Sequence, residues 1–391
     1  MILAVAPSSL LHPRAAFLAF LFVFFFPVLG SADLVQALAL ACGAAYFLAG
    51  SMLVRRAPEV AWPAIRPRWS EIALILGVKA VQLASNLDFD FSVTNLTAAL
   101  LQSSVAQKEN VAGGFVINSV LYLLLWRSLV ALCAQRMLYR ALLLLLVYQL
   151  LSLQTGRFLL ISQLGLLIVI HHQIHRRSFN GAWLGAIALS IATLFPLLHA
   201  VRSGDIAQDV DVYSYDYVAS IMAADASPGR NFLDLAEHVD KVGYNYGEYV
   251  ALAPLQIVPR AIWAEKPTTS MQAFYSAAVY GLDHLDGVTF TFTIFDSYSF
   301  LGMASVALVS LAWGAGFMAL FNAFLRSNRP FMRIQLALLT VNAFNFYRGN
   351  VLDFAAPIVI SLVIAFLMDW LLSGRPAAPR PAAAGSHPQL V

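Results

Sequence analysis

The chain is written in long apolar stretches separated by short polar breaks. A helix needs about 20 mostly apolar residues to cross a bilayer, because each backbone polar group must find its partner inside the segment. Ten such spans are predicted, at residues 13–30, 34–54, 71–88, 112–133, 137–153, 157–172, 181–200, 297–325, 331–347 and 351–372. The third is the weakest: Lys79 and Gln82 interrupt it, and it reads either as a span or as an interfacial helix. The first has Arg14 before its apolar core and Gly30-Ser31-Ala32 after it, a signal-peptide layout, but nine further spans favour a retained anchor. One connection is long, residues 201–296. Within it, NFLDLAEHVDKV (231–242) sets Phe232, Leu235, Ala236 and Val239 at helical spacing, whereas 249–263 is apolar but broken by Pro254 and Pro259. That segment is expected to lie against the membrane face or dip into it. The predicted fold class is an all-α polytopic membrane protein, residues 1–372 forming one transmembrane domain that includes the loop. The Pro- and Ala-rich tail, 373–391, cannot bury a core and is expected to be disordered.

Composition agrees: 60% of the 391 residues are hydrophobic and 12% charged, too apolar for a set of soluble domains. The net charge is +3, and the basic residues are scattered among apolar stretches, which excludes a patch that tracks nucleic acid. Cys42 and Cys133 both sit in apolar runs and support neither a disulfide framework nor a thiolate metal site. The basic residues do alternate by connection. With the N-terminus inside, cytoplasmic segments hold Arg14; Arg55, Arg56, Arg66 and Arg68; Arg136 and Arg140; Arg176 and Arg177; Arg326, Arg329 and Arg333; and Arg375 and Arg380. Short external connections hold only Lys108, Arg157 and Arg348, and the long external one is acid-rich. Ten spans with both termini cytoplasmic satisfy the positive-inside rule.

Exceptions to that rule point to chemistry. Arg157, in Thr155-Gly156-Arg157, precedes one apolar run, and Arg348, in Tyr347-Arg348-Gly349, precedes another, both on the side that should lack cations. Either alone reads as a snorkelling arginine at a helix end. A third cluster, Pro259-Arg260-Ala261-Ile262-Trp263-Ala264-Glu265-Lys266-Pro267, adds two cations and an interfacial tryptophan on the same side. Several cations converging on a membrane face suit an anion that arrives on a lipid, since guanidinium forks match phosphate oxygens and stay charged when desolvated. A lipid pyrophosphate fits.

The order of these elements resembles the Wzy-type oligosaccharide repeat-unit polymerases of bacterial surface polysaccharides. The resemblance rests on Gly-Arg before a span, Pro-Arg-x-x-Trp-x-x-Lys-Pro in the long loop, Asp296-Ser297-Tyr298-Ser299-Phe300-Leu301-Gly302 at the next span, and Tyr-Arg-Gly before the last. It covers about residues 150–372, with Asp296 where that pattern has Glu and Ala264 where it more often has Pro. The resemblance implies a metal-independent glycosyltransferase of the periplasmic face, in an architecture like the polytopic lipid-linked glycosyltransferases and O-antigen ligases. It needs no cofactor. Its expected partners are a lipid-linked oligosaccharide, membrane lipids, and the chain-length regulator and flippase of the same pathway. Its expected place is the bacterial inner membrane. Arg157, Arg260, Lys266 and Arg348 would stabilise the departing pyrophosphate, and Trp263, Tyr298 and Tyr347 would hold sugars.

An acceptor hydroxyl calls for a base, and the external candidates are Asp296, His238, Glu248, Asp88 and Asp90. Asp296 ranks first, expected at the mouth of a span where partial burial raises its pKa; its bland reading is a helix cap. His238 is the second choice, and its bland reading is a solvated helical residue. Asp209-Val-Asp211 and Asp88-Phe-Asp90 imitate metal-binding pairs, but no metal is assigned. His171, His172 and His175 read better as headgroup-facing residues than as a metal site. Lys79 stands apart as a charge inside a span. An O-antigen ligase shares this chemistry, and a lipid-linked glycan transporter or flippase is the reading from another class.

Overall fold

The computed structural model describes residues 11–87, 89, 112–152, 157–177, 196, 197, 200, 211–214, 216–218, 220, 221, 227–244, 278–281, 293–348 and 351–372. Among them the fold is helical, without a strand. The helices are α1 (Pro13–Phe24), α2 (Leu34–Leu53), α3 (Trp69–Asn86), α4 (Ala112–Ala134), α5 (Leu138–Leu151), α6 (Arg157–Ile174), α7 (Ser227–Val242), the single turn α8 (Tyr298–Leu301), α9 (Met303–Arg326), α10 (Pro330–Val341), α11 (Ala343–Arg348) and α12 (Val351–Leu372). Leu34–Leu53, Val116–Ala134 and Met303–Arg326 are long and apolar enough to cross a membrane. Helices of this kind identify a helical membrane protein.

Three expected spans are altered. The first ends at Phe24, and a 3-10 helix, Phe26–Ser31, follows, because Pro27 has no N–H to continue the ladder. The eighth begins at Met303 rather than 297: Gly302 turns the chain at φ +64°, and a side chain there would strike the Tyr244 hydroxyl at 2.8 Å. The ninth is divided at Asn342. Thr340 Oγ1 donates to Leu336 O (2.7 Å) and Asn342 Nδ2 to Leu338 O (2.9 Å), and such returns to the preceding turn bend helices. The expected span 181–200 lies outside the described residues but for 196, 197 and 200.

The third segment belongs to the bundle. α3 runs antiparallel along α4, with Glu71 paired to Arg127 and Lys79 to Asn118, and it touches α5 through the Tyr148 ring. This disfavours a flat interfacial helix.

One end of the bundle gathers the arginine-bearing turns. Arg14 Nε donates to Ser51 Oγ (2.8 Å), joining the start of α1 to the end of α2. The connection 55–68 then folds across the bundle: Ala57 N donates to Asn322 Oδ1 and Val60 N to Leu325 O at the end of α9. Trp62 Nε1 reaches Gln173 in α6. His175 meets Cys133 O, tying α6 to α4. Asp369 near the end of α12 accepts from Phe331 N (3.0 Å) and Met332 N (2.8 Å), capping α10. Arg333, counted among the cytoplasmic basic residues, is fully buried and stacked over Trp62 at 4.4 Å, so it is a packing residue.

This basic end fixes helix directions. α2, α4, α6, α9 and α12 run toward it, and α1, α3, α5 and α10 run away. α2 and α9 therefore lie parallel, and their backbones touch: a Cβ on Gly50 would sit 2.1 Å from Leu311 O, and one on Gly314 2.0 Å from Phe47 O. Two apolar cores result. One joins α3–α6, the end of α9, α10 and α12. The other is aromatic and lies among α1, α2, α7, α8, α9 and α11, where the Phe17 and Phe47 rings stack at 3.8 Å.

Candidate functional site

At the end opposite the arginines, α7 lies over the tips of α1, α2 and α8. Its apolar stripe, Phe232, Leu235, Ala236 and Val239, is buried as the spacing predicts. Phe232 meets Phe25 (6.2 Å), Phe295 (6.2 Å) and Tyr298 (6.4 Å), while Gln36 Nε2 donates to Leu233 O at 3.1 Å. Gly229 passes so close to Phe24 O that a Cβ would stand 2.3 Å from it. The helix is thus seated on an aromatic floor with its polar face outward.

Beside the stripe stand Asn231, which is buried, the exposed Asp234, and His238, spaced three and four residues apart and so on one side of the helix. The Tyr280 hydroxyl is 2.7 Å from Asp234 Oδ2, to which it donates, and 3.0 Å from Asn231 Oδ1. Burial and the carboxylates of Asp234 and Asp296 hold the Tyr280 phenol above its usual range. His238 is half-buried, and Glu237 pairs with Lys241 (2.7 Å) in full solvent. Tyr244 is 42% exposed and its ring stands 6.2 Å from that of Tyr298. Asp33 caps α2 from the same end, its Oδ1 accepting from Gln36 N at 2.7 Å.

Asp296 is in the 3-10 turn Ile294–Ser297 and is fully enclosed, not at an open mouth as expected. Its Oδ2 accepts from Thr293 N, and the Thr293 side chain answers it in a capping box. Its Oδ1 has no hydrogen-bond partner among the described residues. Burial, outweighing the Thr293 hydrogen bonds, pushes the carboxyl up to about 8, so it holds a proton at neutral pH. The capping alternative describes this geometry, though the cap serves the turn before α9 rather than α9 itself.

The other expected site residues separate. Tyr298 is buried at the floor, between Phe232 and Tyr244. Tyr347 is also buried, but elsewhere: its ring meets Phe17, Phe47 and Phe317, and its hydroxyl lies 3.4 Å from Pro13 O, so it is a core residue with no sugar-facing surface. Arg157 opens α6 and Arg348 closes α11 just before α12. Both helices α6 and α12 run toward the basic end, so their first residues belong to the opposite one. Arg260, Trp263 and Lys266 lie outside the described residues, as do Glu248, Asp88, Asp90 and Asp209.

The sequence reading did not single out Asn231, Asp234 or Tyr280. The first two flank the apolar stripe of a helix it had recognised, which was the available signal; Tyr280 is remote in sequence and carried none. It also passed over Arg127, whose charge Glu71 matches inside the bundle. Among the described residues no group of three His, Cys, Asp or Glu could hold a metal, and His171, His172 and His175 form none. His172 instead contacts Ile168 O (3.0 Å) and His175 Cys133 O (2.9 Å). Compared with protein-family models, with curated proteins and with solved structures, the chain matches none.

Proposed function

We propose that this chain is a metal-independent glycosyltransferase that polymerises polyprenyl-pyrophosphate-linked oligosaccharide repeat units on the periplasmic face of a bacterial inner membrane. The observation that carries the reading is directional: the helices that follow Arg157, Arg348 and the Asp296–Gly302 segment, α6, α12 and α9, all run toward the arginine-rich turns. The positive-inside rule then assigns the arginine end to the cytoplasm. The loop with Arg260, Trp263 and Lys266 leaves α7, which is docked at the same end.

In this reading a sugar hydroxyl of the acceptor attacks the anomeric carbon of the donor. The new glycosidic C–O bond forms as the anomeric C–O bond to pyrophosphate breaks, and the lipid pyrophosphate departs with the electron pair. Arg157, Arg260, Lys266 and Arg348 neutralise that charge. The proton goes to a base on the α7 side, where His238 is half-buried at the surface; Asp296, enclosed beneath, supports the turn that carries Tyr298.

Purified protein given lipid-pyrophosphate repeat units should yield a ladder of products, and should do so in excess EDTA. Activity that disappears with chelator and returns with Mg²⁺ overturns the metal-free mechanism. In cells, deletion should leave single repeats attached at the surface. Loss of all attached glycan would identify a ligase, and loss of exported repeats a flippase.

A further inference from the structure

Lys79 is the charge that the proposed reaction leaves unused. It lies in α3 among apolar residues and is 6% exposed. Its Nζ donates to Asn118 Oδ1 at 2.8 Å and stands 5.4 Å from the centre of the Tyr148 ring. An amide oxygen accepts from it, and an aromatic face stands near it. Yet no carboxylate lies within ion-pair distance of it among the described residues. The contrast is on the same pair of helices, where Arg127 has Glu71. An enclosed ammonium in a membrane bundle is costly unless an anion meets it.

We infer that Lys79 and Asn118 form a binding site for the phosphate of an amphiphile entering sideways between α3 and α4. Asn118 is exposed, and its amide N–H groups have no acceptor among the described residues, so they supply donors beside the ammonium. Ile117 (54% exposed), next to Asn118 on α4, offers an apolar surface to the attached chain. A free inorganic phosphate would gain only the polar half of this arrangement. The assignment does not rest on the polymerase reading.

The test is lipid binding to the full chain in detergent micelles, read by native mass spectrometry with three probes: a polyprenyl phosphate, phosphatidylglycerol and phosphatidylcholine. The wild type should retain at least one of the two anionic lipids in preference to phosphatidylcholine. Lys79→Met should weaken that retention about ten-fold or more, the scale of a charge-assisted hydrogen bond, while Lys79→Arg keeps it. Asn118→Ala should weaken it less. Preference for polyprenyl phosphate over phosphatidylglycerol would identify an isoprenoid site, and equal retention a general anionic-lipid site. Equal retention of all three lipids by the wild type, or unchanged anionic-lipid retention in both Lys79→Met and Asn118→Ala, overturns the inference.

Discussion

At the scale of single residues, Asp296 shows how burial and function can pull a carboxyl apart. Its folded pKa, pushed up to about 8, stands above the value of 3.8 expected when exposed. The folded state therefore holds the proton more tightly than the unfolded state does. Its contribution to stability is complete below about pH 4, declines as pH rises, and is lost once pH passes about 8. Thermal melting in detergent should accordingly drop between these limits in the wild type, and the drop should flatten in Asp296→Asn, whose amide stays neutral. Parallel curves for the two would remove Asp296 as the titrating group. The cations test differently. Arg348→Ala and Arg260→Ala should each cost about 2.7–4 kcal/mol of transition-state stabilisation, on the scale of an oxyanion donor, with protein level unchanged. Arg→Lys should rescue poorly, since a point charge cannot reproduce the guanidinium fork. Wild-type product lengths in both alanine variants would take these residues out of the reaction.

At the scale of elements, the sequence declared what periodicity encodes and missed what depends on distant contacts. The stripe on α7 was legible because Phe232, Leu235, Ala236 and Val239 repeat at helical spacing, and all are buried. The lengths of α2, α4 and α12 were legible because a long apolar run has few alternatives. The division at Asn342 was not, since Thr340 and Asn342 are unremarkable polar residues until their side chains return to the preceding turn. Tyr347 was misplaced for the same reason: the resemblance implied a sugar contact, but α11 packs against α1 and carries it into the aromatic core. The parallel contact of α2 with α9 was equally invisible, and it makes a direct prediction. Gly50→Ala or Gly314→Ala must push two backbones apart, where overpacking costs about 1–3 kcal/mol. Gly316→Ala, on the same helix with nothing within 4 Å, should be neutral or slightly stabilising. Equal melting temperatures for Gly314→Ala and Gly316→Ala would refute the close approach.

At the scale of the whole molecule, helix direction and charge give one consistent layout. α6 and α9 both run toward the arginine end, so the chain between them must travel back to the opposite end once more than it comes down. α7 belongs to the same stretch of chain and is seated at the opposite end, which requires the crossing to precede it. The consequence is testable without knowing the substrate. In a variant with Cys42 and Cys133 replaced by alanine, a cysteine at Glu237 on α7 should react with a membrane-impermeant maleimide added to spheroplasts. One at Asn328, exposed in the turn between α9 and α10, should react only after the membrane is opened. The positive-inside rule sets the direction of that difference, and the packing of α7 on α1 and α2 sets its existence. Labelling of both cysteines from outside would mean that the two ends of the bundle do not lie on opposite sides of a membrane, and the transferase reading would fall with them.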